Sequence, residues 1–273
     1  MPELPEVETI CRGLAPLVCS KPISAVTVRR SDLRWPIPKK ALSQALPGAL
    51  IKKIERRGKY LLLPVGEGTL IIHLGMSGVL RYHSENIPFI KHDHFDISFT
   101  GGGHMRLNDP RRFGSVLWTT DDPAEHKLIA PLGPEPLEKK FSAKFLFNSS
   151  RKRRGAIKNF IMNSHVVVGV GNIYAAESLF MAGINPNREA GNVSLADCKR
   201  LVSAIKKILE SAIEQGGTTL KDYRNEDGKP GYFQQSLNVY GRLGKPCPTC
   251  AISIEQIRLG GRASAFCPRC QEL

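Results

Sequence analysis

Four cysteines near the carboxyl end place the strongest constraint on the fold of this chain. Cys247 and Cys250 form one pair, Cys267 and Cys270 form a second, and sixteen residues separate the pairs. Two short knuckles joined by a spacer of hairpin length bring four sulfurs together in the tetrahedral geometry that zinc prefers. Because four protein ligands leave no open coordination position, the sequence predicts one structural zinc ion that stabilises a small β-hairpin.

The remaining three cysteines favour a reducing environment. Cys11 and Cys198 fall on apolar helical stripes, where a buried thiol behaves as a small hydrophobic side chain, and Cys19 stands apart. Three unpaired thiols and an acidic amino end favour a cytoplasmic protein over an exported one, and they disfavour a disulfide or redox role for the four-cysteine cluster. No apolar run approaches the roughly 18 residues that a membrane span requires, so no membrane anchor is predicted.

The charge balance favours a polyanionic partner. Lysine and arginine number 39 against 25 aspartates and glutamates, a net charge of +14. A membrane surface is the competing partner, but the sequence contains no long basic amphipathic helix with aromatic residues opposite its charges. Five cations cluster at Arg151–Arg154 and Lys158, before a predicted helix. With no acid nearby, phosphate contact is at least as well supported as a solvated basic face.

The hydrophobic period changes twice along the chain. A helix is predicted from Pro5 to about Val18, because its apolar residues recur at helical spacing. Short β-branched or aromatic runs separated by glycine-containing turns then predict a β-sandwich or barrel. These runs are Ile23–Arg29, Ile51–Arg56, Tyr60–Val65, Thr69–Leu74, Val79–Tyr82, Asp93–Phe99, Met105–Asn108 and Ser115–Thr119.

A proline-rich stretch, Pro131–Pro136, predicts a stiff linker and the first domain boundary. The chain beyond it is helical in character. Its clearest helix begins at Ser194, with Asp197 completing a capping box, and stops at Gly216-Gly217. The polar stretch from Thr218 to Gln235 is predicted to be a loop with room to move over a ligand. The predicted domains are 1–130, 131–237 and 238–273.

The amino end carries a distinctive chemical group. Removal of Met1 before the small-ring residue Pro2 leaves a secondary amine, which attacks an electrophilic sugar carbon and is then held as a charged iminium. Such an iminium acidifies the neighbouring C–H bond and prepares an elimination. From these residues alone an ordinary start is the favoured alternative, with Pro5 in the first helical turn and Glu3 and Glu6 at the positive end of the helix dipole.

Two turns between predicted strands carry side chains suited to a duplex. The Asn108–Gly114 turn presents Arg111 beside Phe113, a combination able to stack where a base has left. Its alternative is a packed turn with Phe113 in the core. Gly75–Gly78 is a second tight turn, able to present Met76 as an apolar wedge.

Two further motifs partly match signatures of dinucleotide-binding proteins and of zinc deaminases. Val168–Asn172 precedes a helix that Asn172 is placed to cap, and exposed amides at such a start bind anions. It lacks the third glycine of a dinucleotide fingerprint, which excludes a Rossmann site. His83-Ser84-Glu85 with Pro246–Cys250 superficially matches the zinc-deaminase pattern. The long separation of the two parts and the second cysteine pair argue against that class.

Together these segments resemble the formamidopyrimidine-DNA glycosylase family over the whole chain. The matching motifs, in order, are Pro2–Glu8, Arg57–Leu62, His73–Gly78, Lys91–His94, Asp109–Gly114, Val168–Tyr174, Gly216–Thr219 and the four-cysteine finger. The combination is far more specific than any single motif, and it reverses the preference for an ordinary start at Pro2.

The resemblance implies an α+β multidomain fold. Its parts are an N-terminal β-sandwich with a flanking helix, a helix–two-turns–helix domain and a C-terminal β-hairpin zinc finger, with damaged double-stranded DNA lying across the cleft between domains. It further implies a monomer that works in the cytoplasm at the nucleoid. The implied activity is removal of oxidised purines, followed by strand cleavage through β,δ-elimination.

The resemblance also implies a role for individual residues. Pro2 is the expected nucleophile and Glu3 the acid, while Lys59 serves β-elimination and Arg262 δ-elimination. The expected DNA contacts are His92, Arg111, Arg154, Lys158 and Asn172. Met76, Arg111 and Phe113 are expected to fill the gap left by the flipped base, and the loop after Gly217 to close over the lesion.

Two alternatives remain at this stage, an endonuclease VIII-like enzyme for oxidised pyrimidines and a non-catalytic zinc-finger DNA-binding protein. The chain departs from the family pattern at two positions. Ala251 replaces the usual glycine after the second zinc cysteine, which predicts a slightly strained knuckle. Arg154 stands where relatives often have lysine, which keeps the charge and alters its geometry.

Overall fold

The computed structural model describes residues 2–216 and 237–273. These residues form two compact units, one comprising 2–130 and the other comprising 131–216 and 237–273. The loop predicted after Gly217 lies outside the described residues.

The first unit opens with helix α1, Leu4–Val18. The carboxylate of Glu6 accepts a hydrogen bond from the backbone N–H of Glu3 at 2.8 Å, which satisfies one donor at the start of the helix. The apolar stripe that contains Val7, Ile10 and Leu14 is buried in the core of this unit. The helix predicted from Pro5 to Val18 is thereby confirmed, with its start one residue earlier.

Two four-stranded antiparallel sheets pack into a sandwich beside α1, as the fold class predicted. One sheet has the order β1-β6-β7-β5 and the other β2-β3-β4-β8. The strands are β1 Ile23–Val28, β2 Glu55–Arg57, β3 Tyr60–Val65, β4 Gly68–His73, β5 Val79–His83, β6 Asp93–Phe99, β7 His104–Asn108 and β8 Ser115–Thr119, and a short helix α2, Lys39–Ala45, follows β1. Alternate side chains of both sheets meet in one core, which is the pattern expected of sheets with one solvated face.

The strand predicted from Ile51 to Arg56 is wrong over most of its length. Ile51 forms only an isolated bridge with Val65, and regular pairing begins at Glu55. The carbonyl of Ile54 accepts a hydrogen bond from the Cys11 thiol of α1 at 3.2 Å, so it is turned toward the helix. The two isoleucines of this segment are therefore buried in the core of the unit without belonging to a sheet strand.

The second unit is helical and ends in a hairpin. Its helices are α3 Ala143–Ser150, α4 Ile157–Ile161, α5 Asn172–Ala182 and α6 Leu195–Glu214, and its hairpin strands are β9 Glu255–Leu259 and β10 Arg262–Phe266. The predicted capping box of α6 is present, because Ser194 Oγ accepts from the Asp197 N–H at 3.0 Å and the Asp197 carboxylate accepts from the Ser194 N–H at 3.2 Å. No helix within the described ranges is both long and apolar enough to cross a bilayer.

One buried carboxylate anchors the segment that leads into the hairpin. Glu177 on α5 is 1% exposed. Its two oxygens accept hydrogen bonds from the backbone N–H groups of Asn238, Val239 and Tyr240 at 2.8 to 2.9 Å. Glu177 thus satisfies three consecutive donors of a segment that has no regular structure of its own.

Replacing Glu177 by alanine should lower the free energy of unfolding by about 3 kcal/mol, because three backbone donors lose a charged acceptor. Chemical denaturation measures the change. Glu210→Ala on the exposed face of α6 is the matched control and should alter stability little. Equal stabilities of the two variants would contradict the anchoring role of Glu177.

Candidate active site and metal centre

Pro2 and Glu3 lie immediately before α1, and both are buried. The Glu6 carboxylate fixes the backbone of Glu3 through the hydrogen bond described above. Glu3 is 2% exposed and directly follows Pro2 along the chain, which suits the sheltered proton donor that the sequence predicts at this position. The structure therefore brings the predicted nucleophile and the predicted acid together at one end of the helix.

Lys59 occupies the tip of the β2–β3 hairpin. Arg57 pairs with Tyr60, which leaves Gly58 and Lys59 as a two-residue turn, and Gly58 has a φ of 58°. Glycine at the first turn position matches the tight turns that suit the twist of a hairpin. The turn therefore places Lys59 at the end of two paired strands.

A single arginine ties this turn to helix α1, which begins directly after Glu3. Arg56 Nε donates to the Glu8 carboxylate of α1 at 2.7 Å, and Arg56 Nη1 donates to the carbonyl of Gly58 at 3.1 Å. One guanidinium thus connects the helix and the Lys59 turn. Neither Arg56 nor Glu8 was predicted from the sequence as a site residue, because neither takes part in the expected chemistry.

His73 lies beside Lys59 and is neutral. Burial, together with the positive charges of Lys59 and Arg34, lowers the pKa of His73 to about 4. Its Nδ1 accepts a hydrogen bond from the Gly75 N–H at 3.1 Å, which leaves Nε2–H as a donor. Its ring centroid lies 4.7 Å from that of Tyr60. The sequence placed His73 in a motif without giving it a role, since its neutrality follows only from the packing.

The two turns that carry the predicted wedge are held together by Asp109, which is fully buried. One of its carboxylate oxygens accepts from the Gly114 N–H at 2.8 Å, and the other accepts from Ser77 Oγ at 2.6 Å. Ser77 Oγ in turn accepts from the backbone N–H of Arg111 at 3.0 Å. Asp109 therefore fixes both turns against each other.

The wedge side chains themselves reach solvent. Met76 is 39% exposed and Phe113 is 43% exposed, so the alternative that buries Phe113 in the core is wrong. The guanidinium carbon of Arg111 lies 4.9 Å from the centroid of the Phe113 ring. A Cβ on Gly75 would lie 2.3 Å from the backbone of Phe113, so the approach of the two turns requires glycine there.

His92 adopts a left-handed backbone conformation with a φ of 75°. Its carbonyl accepts a hydrogen bond from the Asp109 N–H at 3.0 Å, so the strain is maintained by the same buried aspartate. The ring is half-buried and lies edge-on to His94, with 6.2 Å between centroids. His92 is thus held next to the wedge turns rather than being free on a loop.

In the second unit, Asn172 does not cap α5, contrary to the sequence analysis. Gly171 occupies the cap position and Asn172 is the first helical residue. The Asn172 side-chain oxygen instead accepts a hydrogen bond from Lys158 Nζ at 2.7 Å. Its amide NH₂ is thereby left as the group available to an outside acceptor.

Lys158 is fully buried, which the charge run did not predict. Besides Asn172, its ammonium donates to the carbonyl of Ala263 at 2.9 Å and to Ser264 Oγ at 2.7 Å. These three acceptors match the three donors of an ammonium. The structure therefore gives Lys158 the task of positioning Asn172 and strand β10, in place of the direct phosphate contact expected of it.

Arg151 is also used internally. Its guanidinium carbon lies 4.0 Å from the Phe147 ring centroid, and Nη2 donates to the carbonyl of Val193 at 2.7 Å. Of the five clustered cations, Lys152, Arg153 and Arg154 are the exposed ones. Arg154 thus keeps the surface position expected of a DNA contact.

The four cysteines converge as predicted. The sulfurs of Cys247, Cys250, Cys267 and Cys270 all lie within 4.8 Å of one another. Backbone N–H groups of Thr249 and Cys270 point at two of these sulfurs at 3.4 Å, which stabilises thiolates. Four thiolates fit one zinc ion and leave no position for a substrate.

The strained knuckle expected at Ala251 is confirmed, because this residue has a φ of 64°. The turn still closes, since the Ala251 N–H donates to the carbonyl of Cys247 at 2.9 Å. At the opposite end of the hairpin, Gly260 and Gly261 have φ values of 55° and 77°. They allow the tight reversal after which the exposed Arg262 begins β10.

Comparisons with known proteins match every part of this arrangement. The formamidopyrimidine-DNA glycosylase N-terminal domain matches residues 1–116, the H2TH domain of the same enzyme matches 132–224, and the zinc finger found in FPG and IleRS matches 244–273. A protein from Teredinibacter turnerae named formamidopyrimidine-DNA glycosylase is 56% identical over 99% of this chain and 100% of its own length.

Solved structures agree with these matches. A Lactococcus lactis FPG mutant in complex with a Fapy-dG-containing DNA is 33% identical, with a TM-score of 0.93 and complete coverage of both chains. The L. lactis Fpg in complex with an abasic-site-containing DNA is also 33% identical, with a TM-score of 0.92 and complete coverage of both chains. From its fold, its cysteine cluster and these full-length matches, the chain belongs to the formamidopyrimidine-DNA glycosylase family.

Proposed function

We infer that this chain is a base-excision repair DNA glycosylase with abasic-site lyase activity, acting on the oxidised purines 8-oxoguanine and formamidopyrimidine. The observation that carries the inference is the amino end of the sandwich. There the buried Pro2 and Glu3 adjoin a helix that one arginine, Arg56, ties to the Lys59 turn. A DNA-binding protein without catalysis has no use for a buried carboxyl beside an amino-terminal secondary amine.

The proposed reaction begins once Met1 has been removed. The Pro2 nitrogen attacks C1′ of the damaged nucleotide and the glycosidic C–N bond breaks as Glu3 donates a proton to the departing base. The Glu3 carboxylate then takes the proton that the Pro2 nitrogen loses and passes it to O4′ as the sugar ring opens. The sugar is then bound to the enzyme as an iminium. Loss of a proton from C2′ expels the 3′ phosphate, and a second elimination expels the 5′ phosphate. Lys59 and Arg262 stabilise these departing anions, which carboxylates would repel.

The remaining predicted residues serve the bound duplex. Extrusion of a base costs a few kcal/mol, and a wedge of Met76, Arg111 and Phe113 offsets that cost by filling the gap. His92, Arg154 and Asn172 contact phosphates. Zinc, held by the four cysteines, supplies no chemistry and fixes the hairpin that displays Arg262. We further propose that the protein acts as a monomer in the cytoplasm.

The endonuclease VIII-like alternative differs in its lesion. Duplexes containing 8-oxoguanine and duplexes containing thymine glycol, compared under single-turnover conditions, separate the two activities. We expect faster release of 8-oxoguanine, and faster release of thymine glycol would reverse the assignment.

Borohydride reduction in the presence of an abasic-site duplex should give a covalent protein–DNA adduct, because the reagent reduces an iminium to a stable amine. Tandem mass spectrometry of the adduct should place the sugar on Pro2 and show that Met1 is absent. An undamaged duplex is the control. An adduct on Lys59, or no adduct from protein that binds the duplex, would exclude Pro2 as the nucleophile.

Glu3→Gln should lower the rate of 8-oxoguanine release by at least about a hundredfold, the usual contribution of a general acid. Cleavage of a preformed abasic site should fall much less, since no base has to leave. Glu6→Gln is a nearby control that keeps the shape of the helix start. Equal loss of both activities in Glu3→Gln would contradict its role as the acid in base release.

Cys250→Ala should lose the metal and with it most of the affinity for DNA, while the sandwich stays folded. Both tryptophans, Trp35 and Trp118, lie in the first unit, so their fluorescence reports that unit alone. Cys19→Ala is the thiol control, and we expect it to retain one zinc per chain. A shifted tryptophan spectrum in Cys250→Ala would show that the sandwich also depends on the metal.

A further inference from the structure

A rigid loop on the sandwich displays two large apolar side chains to solvent. The 84–91 loop joins β5 to β6, and Phe89 and Ile90 near its end are each 66% exposed. Neither residue takes part in the chemistry or the wedge described above. Large apolar side chains held together in water mark a contact surface more often than chance exposure does.

Hydrogen bonds to buried side chains fix the backbone of this loop. The buried guanidinium of Arg106 donates to the carbonyl of Pro88 at 3.0 Å and to that of Ile87 at 3.3 Å. The Asp93 carboxylate accepts from the Ile90 N–H at 2.8 Å. The polar backbone of the loop therefore faces inward, and Phe89 and Ile90 are presented in one conformation, so that little ordering entropy is lost when they are covered.

The charges around the loop are mainly positive. The guanidinium carbon of Arg29 lies 4.8 Å from the Phe89 ring centroid, and Lys91 is exposed directly after the apolar pair. Arg81 lines a recess of about 220 Å³ beside Ile90. Glu85 is the exposed acid within the loop itself.

Two further acids lie beneath the loop and are already neutralised. Asp93 and Asp96 are both buried and both ion-paired with Arg106, at 3.2 and 2.8 Å, and Asp96 is also paired with Arg29 at 2.5 Å. The accessible face of the loop thus combines apolar surface with cations, which suits a nucleic acid better than an ordinary protein surface.

We propose that the 84–91 loop is an accessory DNA contact, in which Phe89 and Ile90 pack on the sugar and base edges of the duplex while Arg81 and Lys91 attract its phosphates. The proposal rests on the proposed function, because the loop runs without a break into His92, an expected phosphate contact. Its partner is the part of the duplex away from the damaged nucleotide. It therefore contributes to affinity and not to the chemical step.

The test compares Phe89→Ser/Ile90→Ser with wild type on a duplex of about 30 base pairs that carries an abasic-site analogue. We expect the dissociation constant to rise about tenfold, because two large apolar side chains lose their contact with the duplex. The slope of affinity against salt should stay the same, because no charge has been removed. Single-turnover release of 8-oxoguanine at saturating enzyme should match that of wild type.

Leu50→Ser is the matched control, since Leu50 is a 44% exposed apolar residue of the same unit. Its dissociation constant should equal that of wild type. A dissociation constant of Phe89→Ser/Ile90→Ser within twofold of wild type would overturn the proposal. So would a change confined to self-association in sedimentation, which would make the loop a protein contact. Failure of the proposed function itself is separate, since wild type would then release no base.

Discussion

The ion pair between Glu8 and Arg56 is the interaction on which the geometry of the proposed active site depends. It joins the first helix, where Glu3 and the amino end are placed, to a hairpin whose tip carries Lys59. Partial burial of Glu8 opposes its ionisation, but hydrogen bonds from Arg56 and Arg12 outweigh this effect and hold the pKa of Glu8 below its ordinary value. The carboxylate therefore stays charged at neutral pH, and the bridge persists under the conditions in which a DNA repair enzyme works.

Four other buried side chains hold irregular segments or neighbouring side chains in place through hydrogen bonds. Asp109 fixes the wedge turns, Arg106 the 84–91 loop, Lys158 the Asn172 side chain, and Glu177 the irregular segment before the zinc hairpin. Turns of this length contain too few apolar contacts to specify one conformation. A buried aspartate, glutamate, lysine or arginine with several hydrogen-bond partners supplies the missing constraint, because any other arrangement leaves its polar atoms unpaired in a medium of low dielectric.

Features of the fold that depend on residues close together in the chain were predictable from the sequence, and those that depend on distant residues were not. The start of α6 was predictable because Ser194 and Asp197 cap each other three residues apart, and the metal centre because cysteine spacing alone limits its geometry. The limits of β2 were not predictable from the sequence, since the Cys11 thiol that donates to the Ile54 carbonyl lies 43 residues earlier. Likewise, Lys158 appeared to be one more surface cation, because two of its acceptors lie more than 100 residues later in the chain.

Several cations of this chain bond to other parts of the protein, so the net charge alone does not locate the DNA-binding surface. A net charge of +14 indicates a polyanionic partner but does not show where that partner lies. Arg56, Arg106, Arg151 and Lys158 are directed to protein acceptors, so they fix the scaffold and add little to direct phosphate contact. The exposed cations that remain next to fixed functional groups, such as Arg111 beside Phe113, are therefore the better guide to the path of the DNA. We therefore expect the duplex to contact exposed cations such as Arg111, and not the cations whose hydrogen bonds fix the scaffold.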